Sequence, residues 1–239
     1  CLKGGVGKTA AAVNVAYLAS QAGYSTLLWD LDPQGASSWY LAGAEMIKGQ
    51  KLSALLKGKT PIAEFVHESG YRNLDFIPSH TSFRNLDVKL DQDESTNLIK
   101  QWLAPLSEET SLVVLDCPPS LSRLSEQVLK AADAVFVPVI PTWLSLNSWG
   151  QLQAFAREKK LKPSRLHPFY SMADRRKSLH RDLIDGQDEY LPKSLKTIIP
   201  NASVVEKMGE EGTPVELIAP GSVAADAYRR LWREIERLL

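Results

Sequence analysis

Apolar positions recur along this chain at two spacings. Over residues 8–22, "KTAAAVNVAYLASQA", they follow a helical period until Gly23, a residue suited to ending a helix in the left-handed conformation. "STLLWD" (25–30) is then a short apolar run closing on an acid, the pattern of a parallel strand covered on both faces. "NLDFIPS" (73–79), "SLVVLDCPP" (111–119), "DAVFVPV" (133–139), "RLHPFYS" (165–171) and "LKTIIP" (195–200) repeat it. Helical spacing fills 41–57, 83–104, 122–131, 145–160, 175–188, 203–211 and 222–238. Strands separated by helices pair in parallel through right-handed crossovers, which predicts an α/β fold with one doubly wound, mostly parallel sheet. With no internal repeat or long linker, residues 1–239 are expected to form a single domain.

The last helical segment, "SVAADAYRRLWREIERLL", sets Val223, Ala227, Leu231, Ile235 and Leu238 on one face and Arg229, Arg233 and Arg237 on another. Such a helix either covers a sheet or lies on a membrane surface. Its short connection to the preceding strand favours the cover.

Composition narrows the class. Hydrophobic residues at 44% and charged residues at 23% are ordinary for a globular core. A formal net charge of zero means that any nucleic-acid contact must come from a local basic patch. Two cysteines, Cys1 and Cys117, do not make a disulfide framework and fit a reducing cytoplasm. No apolar run is long enough for a membrane span, so a membrane partner is not expected. Cys117 has no histidine at ligand spacing, since His67, His80, His167 and His180 stand apart from it, and it reads as a small buried residue.

The chemistry concentrates at the start, in "CLKGGVGKT". Binding phosphate needs inward-pointing backbone N–H groups, hence glycines, followed by a helix N-terminus. Gly4, Gly5 and Gly7 precede a helix that begins near Lys8, and Val6 and Ala10 complete the stretch. Lys8 is placed to reach the β- and γ-phosphates and the Thr9 hydroxyl to ligate Mg²⁺. The general eight-residue pattern begins with glycine, and Leu2 stands there instead. A second lysine, Lys3, precedes the turn and cannot easily fold back onto its own γ-phosphate. It becomes useful if a second copy approaches face to face and Lys3 neutralises the partner's phosphates.

"KGGVGKT" resembles the deviant Walker A motif of the ParA/MinD superfamily of partitioning and positioning ATPases. "LLWDLDPQGASS" resembles that family's A′ segment and first switch, and "VVLDCPPSL" its Walker B strand and second switch. "NLDFIPS", "ADAVFVPVIPTWLSL" and "IIPNASVVEKMGEEGTPVE" also look like ParA blocks, so the likeness runs over the whole chain. It is closest to the short ParA branch.

The resemblance implies a P-loop ATPase that uses ATP and Mg²⁺ and forms a nucleotide-sandwich homodimer. It implies non-specific binding of nucleoid DNA in the cytoplasm and a ParB-like or other cargo adaptor, with plasmid or chromosome partition among the tasks. It also implies a central strand leading into the loop, which would put the start of this numbering inside a longer natural chain. Carried over by motif, the catalytic residues are Lys3, Lys8 and Asp32, with Asp116 holding Mg²⁺ through water alongside Thr9 and Asp32. Asp30 is structural or supports these groups. Adenine contacts fall on Met172 and Asp174, with Pro200, Thr213 and Pro214 closing the other side.

Phosphate contacts for DNA fall on Arg175, Arg176, Lys177, Arg181, Arg229, Arg230 and Arg233, although a solvated helix face is the simpler explanation of each run taken singly. Family members place arginines where this chain has Asn201 and Gly221. A MinD-like membrane switch and an ATP-dependent metabolic enzyme of the same superfamily are the competing classes. A tyrosine kinase of related fold is not expected, because Tyr228 is not part of a C-terminal cluster.

Overall fold

The structure is a computed structural model that describes residues 4–42, 54–55, 59–80, 90 and 97–239. Most of the helical patterns expected over 41–57 and 83–104 therefore lie outside the described residues, as do Cys1, Leu2 and Lys3. The strands are β1 (Thr26–Asp30), β2 (His67–Tyr71), β3 (Leu74–Ile77), β4 (Leu112–Asp116), β5 (Val135–Val139) and β6 (Leu166–Tyr170). The helices begin with α1 (Lys8–Gln21), α2 (Ala36–Ala42), α3 (Leu98–Leu103), α4 (Arg123–Ala131) and α5 (Trp143–Glu158). They continue with α6 (Ser178–Asp185), α7 (Gln187–Tyr190), α8 (Ser203–Glu206), α9 (Met208–Glu211), α10 (Val215–Ile218) and α11 (Val223–Glu236).

The fold is α/β and mostly parallel, as the alternation of periods predicts. β3, β1 and β4 pair in parallel, as do β5 and β6, while β2 adds an antiparallel edge to β3. That hairpin is absent from the periodicity because "HESGY" carries little apolar signal. Among the described residues the strands form two hydrogen-bonded groups, β2-β3-β1-β4 and β5-β6, rather than one continuous ladder. Helix α1 packs against both groups.

The expected strand at 195–200 is broken, and the reason is a carboxylate on α11. Leu195 and Ile199 donate to the Pro168 and Tyr170 carbonyls as a strand beside β6 would. Between them, the amides of Lys196 and Thr197 donate instead to the Glu234 carboxylate at 2.8 and 2.7 Å. The charge on α11 pulls this backbone off the ladder, leaving only an isolated bridge between Ala173 and Pro200.

Helix α11 is the cover. Ala224, Ala227, Tyr228, Leu231, Trp232 and Ile235 are buried in one apolar cluster with Val13, Ala16 and Tyr17 of α1. Two residues of the expected face lie outside it: Val223, the first helical residue, is 72% exposed, and Leu238, beyond the helix end, is 47% exposed. The face that a membrane would need is thus already engaged, and no helix among the described residues is long and apolar enough to cross one.

Candidate functional site

The loop ahead of α1 has the backbone that anion binding requires. Val6 is fully buried and anchors it, while Gly4 and Gly5 are exposed. Gly7 has φ +86°, and a Cβ there would come within 3.0 Å of Ser171 Oγ, so the position admits only glycine without strain. The first intrahelical bond of α1 runs from the Ala11 amide to the Gly7 carbonyl. The amides of Lys8, Thr9 and Ala10 precede it and have no acceptor within the helix. Gly7 offers no side-chain cap, which leaves that end open to an anion.

Two buried acids stand at neighbouring strand ends, since Asp30 of β1 and Asp116 of β4 are in direct register. This is the carboxyl edge of the parallel strands, where open α/β sheets bind ligands. Asp30 is fully satisfied: one oxygen accepts the Ser38 amide at 2.8 Å and hydroxyl at 2.6 Å, and the other accepts the Asp32 amide at 3.1 Å. Burial nevertheless raises its pKa. Asp30 therefore organises the turn that carries Asp32.

Asp116 accepts the Ser37 hydroxyl at 2.9 Å and a hydrogen bond from Thr9. Burial, followed by the charge of Asp30, pushes its carboxyl up to about 7. Lys8 is pulled below the ordinary lysine value by burial, opposed by the attraction of Asp116 and then Asp32. Asp32 is half-buried on the turn after β1, with Oδ1 accepting the Gln34 amide at 2.9 Å and its carbonyl accepting the Ser79 hydroxyl.

A carboxyl driven towards protonation by burial and by a neighbouring carboxylate marks a site short of positive charge. Its donors, a hydroxyl and carboxylates, suit a hard cation such as Mg²⁺. No cluster of three or more His, Cys, Asp or Glu able to hold a metal occurs among the described residues. By their donor chemistry, Thr9, Asp116 and nearby Asp32 fit the ion. Next to them, Cys117 is half-buried rather than the small buried residue expected, and desolvation raises its thiol to about 12.

The residues expected to face the base are distributed unevenly. Met172, with φ +54°, lies against the loop, its Cγ 4.0 Å from where a Cβ on Gly7 would stand. Pro200 is joined to the same stretch through its bridge with Ala173. Asp174 is engaged elsewhere: its carboxylate grips Arg176 at 2.9 and 3.0 Å, which lowers its pKa to about 2. Thr213 and Pro214 precede α10, and the Val215 amide after them donates to Asn14 Oδ1 at 2.9 Å. Asn14 was not among the expected site residues. Its signal is a carboxamide in the otherwise apolar run "AAAVNVAYLA" of α1.

The seven basic candidates also separate. Arg175, Lys177 and Arg233 are exposed. Arg176 is held by Asp174, and Arg181 donates to the Arg175 and Arg176 carbonyls. Arg229 is half-buried, with NH1 on both Glu216 oxygens and the Pro220 carbonyl, so it ties α11 to α10. Arg230 pairs with Asp226 at 2.5 Å. Arg175, Arg230 and Lys196 line a cleft of ≈ 420 Å³ together with Thr197, Pro200, Val223 and Glu234. Sequence reasoning missed Lys196 there.

Residues 1–165 match the family model described as an AAA domain. The chromosome-partitioning ATPase Soj of Treponema pallidum is 31% identical over 98% of this chain and 93% of its own length. The chain belongs to the ParA/MinD superfamily of ATPases. An ATP complex of a variant McdA from Cyanothece has a TM-score of 0.80 at 20% identity, covering 99% of this chain and 93% of that one. Cobyrinic acid a,c-diamide synthase from Mycobacterium smegmatis, with a bound ATP analogue and magnesium, has a TM-score of 0.81 at 25% identity, covering 99% of this chain and 91% of its own. Relatives of this chain thus include both a chromosome-partitioning ATPase and a diamide synthase, and the site rather than the fold has to decide between tasks.

Proposed function

We propose that this chain is a ParA-type positioning ATPase. It binds ATP with Mg²⁺, pairs with a second copy across the nucleotides, holds DNA without sequence preference in that state and is reset by hydrolysis. The observation that carries the reading is the likeness to a chromosome-partitioning ATPase over 98% of the chain.

The residues divide the work by position. Loop amides and the first turn of α1 bind phosphate oxygens, and Lys8 adds charge from within the same subunit. Mg²⁺, when bound, would neutralise phosphate charge, with Thr9 and Asp116, and Asp32 near them, as the residues that would hold it. Asp32 orients the attacking water from its turn, beside that pair. Lys3, which lies outside the described residues, acts in trans on the partner's nucleotide. An adaptor carried by the cargo, ParB-like or of another kind, stimulates turnover.

The cleft lined by Arg175, Lys196 and Arg230 supports the DNA contact. Lys196 pairs with Asp188, and Arg230 with Asp226, on the exposed surface. Such pairs contribute about 0–1 kcal/mol and exchange readily for phosphate.

Co-sedimentation with DNA and with vesicles of anionic lipid, in ADP and in ATP across a salt series, tests the reading. DNA binding that needs ATP and weakens steeply with salt is expected. ATP-dependent vesicle binding would instead select the membrane switch, and binding to neither would leave a metabolic enzyme of the superfamily.

A further inference from the structure

We propose that Asn14 is a positioning residue that fastens residues 208–215 to the phosphate-loop helix and so sets the preference for a nucleoside triphosphate over a bare polyphosphate. The inference rests on the reading above, in which Thr213 and Pro214 lie against the base.

Asn14 is 1% exposed between Val13 and Val15 of α1, about one and a half turns beyond Thr9. A carboxamide in such a place is costly unless its polar atoms are satisfied. Its Nδ2 donates to the Ala10 carbonyl at 2.7 Å and contacts Met208 Sδ at 3.2 Å, while Oδ1 accepts the Val215 amide at 2.9 Å. The orientation of the amide is fixed by chemistry, because a flipped NH₂ would face the Val215 N–H donor to donor.

Val215 opens the short helix α10, so its N–H has no acceptor within the helix. The missing acceptor comes from the phosphate-loop helix, 201 residues earlier in the chain. From the other side, Trp39 Nε1 of α2 donates to the Gly209 carbonyl at 3.1 Å. Thr213 and Pro214 hang between these anchors, so the spacing between phosphate loop and base segment is set at Asn14. In that reading the phosphates are held by the loop, α1, the ion and the partner's Lys3, none of which lies in residues 208–215. Cutting the tether therefore removes the contribution of the base and leaves that of the phosphates.

The experiment measures binding of ATP and of inorganic tripolyphosphate, each with Mg²⁺, to the full chain and two variants. Asn14→Ala removes the acceptor. Val215→Pro cuts the same bond from the other side, leaves no unpaired donor and fits the first position of a helix after an extended Pro214. Both variants are expected to lose about tenfold of the wild-type preference for ATP while tripolyphosphate binding holds. If Asn14→Ala does not fold, Val215→Pro decides alone. A folded variant with the wild-type ratio, or one that weakens both ligands equally, overturns the tether. A wild-type protein that binds the two ligands equally overturns the base reading itself, and the tether's role with it.

Discussion

Ser37 Oγ donates to Asp116 Oδ2 at 2.9 Å inside the protein, so the first turn of α2 touches the acid at the end of β4 directly. That hydrogen bond lowers the pKa of a carboxyl that burial and then the charge of Asp30 still hold up at about 7. Removing it leaves the proton as a stronger competitor for the oxygen that Mg²⁺ needs. In Ser37→Ala, the Mg²⁺ concentration for half-maximal ATPase activity at pH 7 should rise by roughly threefold to tenfold, and less at pH 8. A magnesium titration at both pH values checks this; an unchanged midpoint would show that Ser37 only fills space.

Asp32 and Asp30 are two residues apart and differ in kind. Asp30 is buried with both oxygens occupied, whereas Asp32 is half-buried on the turn. Asp32→Ala should therefore keep ATP binding, accumulate the ATP-bound dimer and lose turnover by about 10²-fold or more, the usual range for removing a proton-handling carboxylate. Asp30→Ala should instead destabilise the protein, because it orphans the Ser38 and Asp32 amides at a cost of about 1–3 kcal/mol. Size-exclusion chromatography with ATP, paired with a urea melt, separates the two. A monomeric, ATP-bound Asp32→Ala would contradict its assigned role.

The phosphate loop and the strand-end acids were legible because each depends on local rules. Glycines at fixed offsets, and apolar runs closing on Asp30 and Asp116, need no distant partner to be recognised. What could not be read depends on such partners. The 195–200 segment has the composition of a strand, and only the position of Glu234 on α11 takes it off the ladder. Asn14 looks like a flaw in an apolar helix until Val215 is seen to need an acceptor. The charge runs were ambiguous for the same reason: Arg229 and Arg230 are adjacent, yet Glu216 takes up the first while the second opens on a cleft.

That cleft yields a prediction about DNA. Arg175→Ala with Arg230→Ala should leave ATPase activity unchanged and weaken ATP-dependent DNA binding at every sequence tested. The slope of log affinity against log salt should shrink by about one unit for each phosphate contact removed. Arg229→Ala should differ by destabilising the junction of α10 and α11. Filter binding over a salt series checks the pair, and an unaltered slope in the double variant would move the DNA contact elsewhere.

His180 gives the fold a pH dependence whose sign can be worked out. It is buried, and its Nδ1 accepts the Asp174 amide at 3.0 Å, which requires the neutral ring. Burial, and then the charge of Lys177, lower its pKa below the ordinary 6.5, with the Asp174 carboxylate opposing. The folded state therefore binds fewer protons than the unfolded chain once the pH falls below about 6.5. The stability it contributes is whole above that value, is lost as the pH drops towards the folded pKa, and levels off below it. His180→Gln offers a side-chain oxygen to the same amide without titrating. The fall in urea midpoint between pH 7.5 and pH 5.5, about the span of imidazole titration, should be smaller in the variant than in the wild type. Other carboxylates contribute alike to both proteins and cancel in the difference. Equal falls in the two proteins would mean that the imidazole keeps its ordinary pKa on folding.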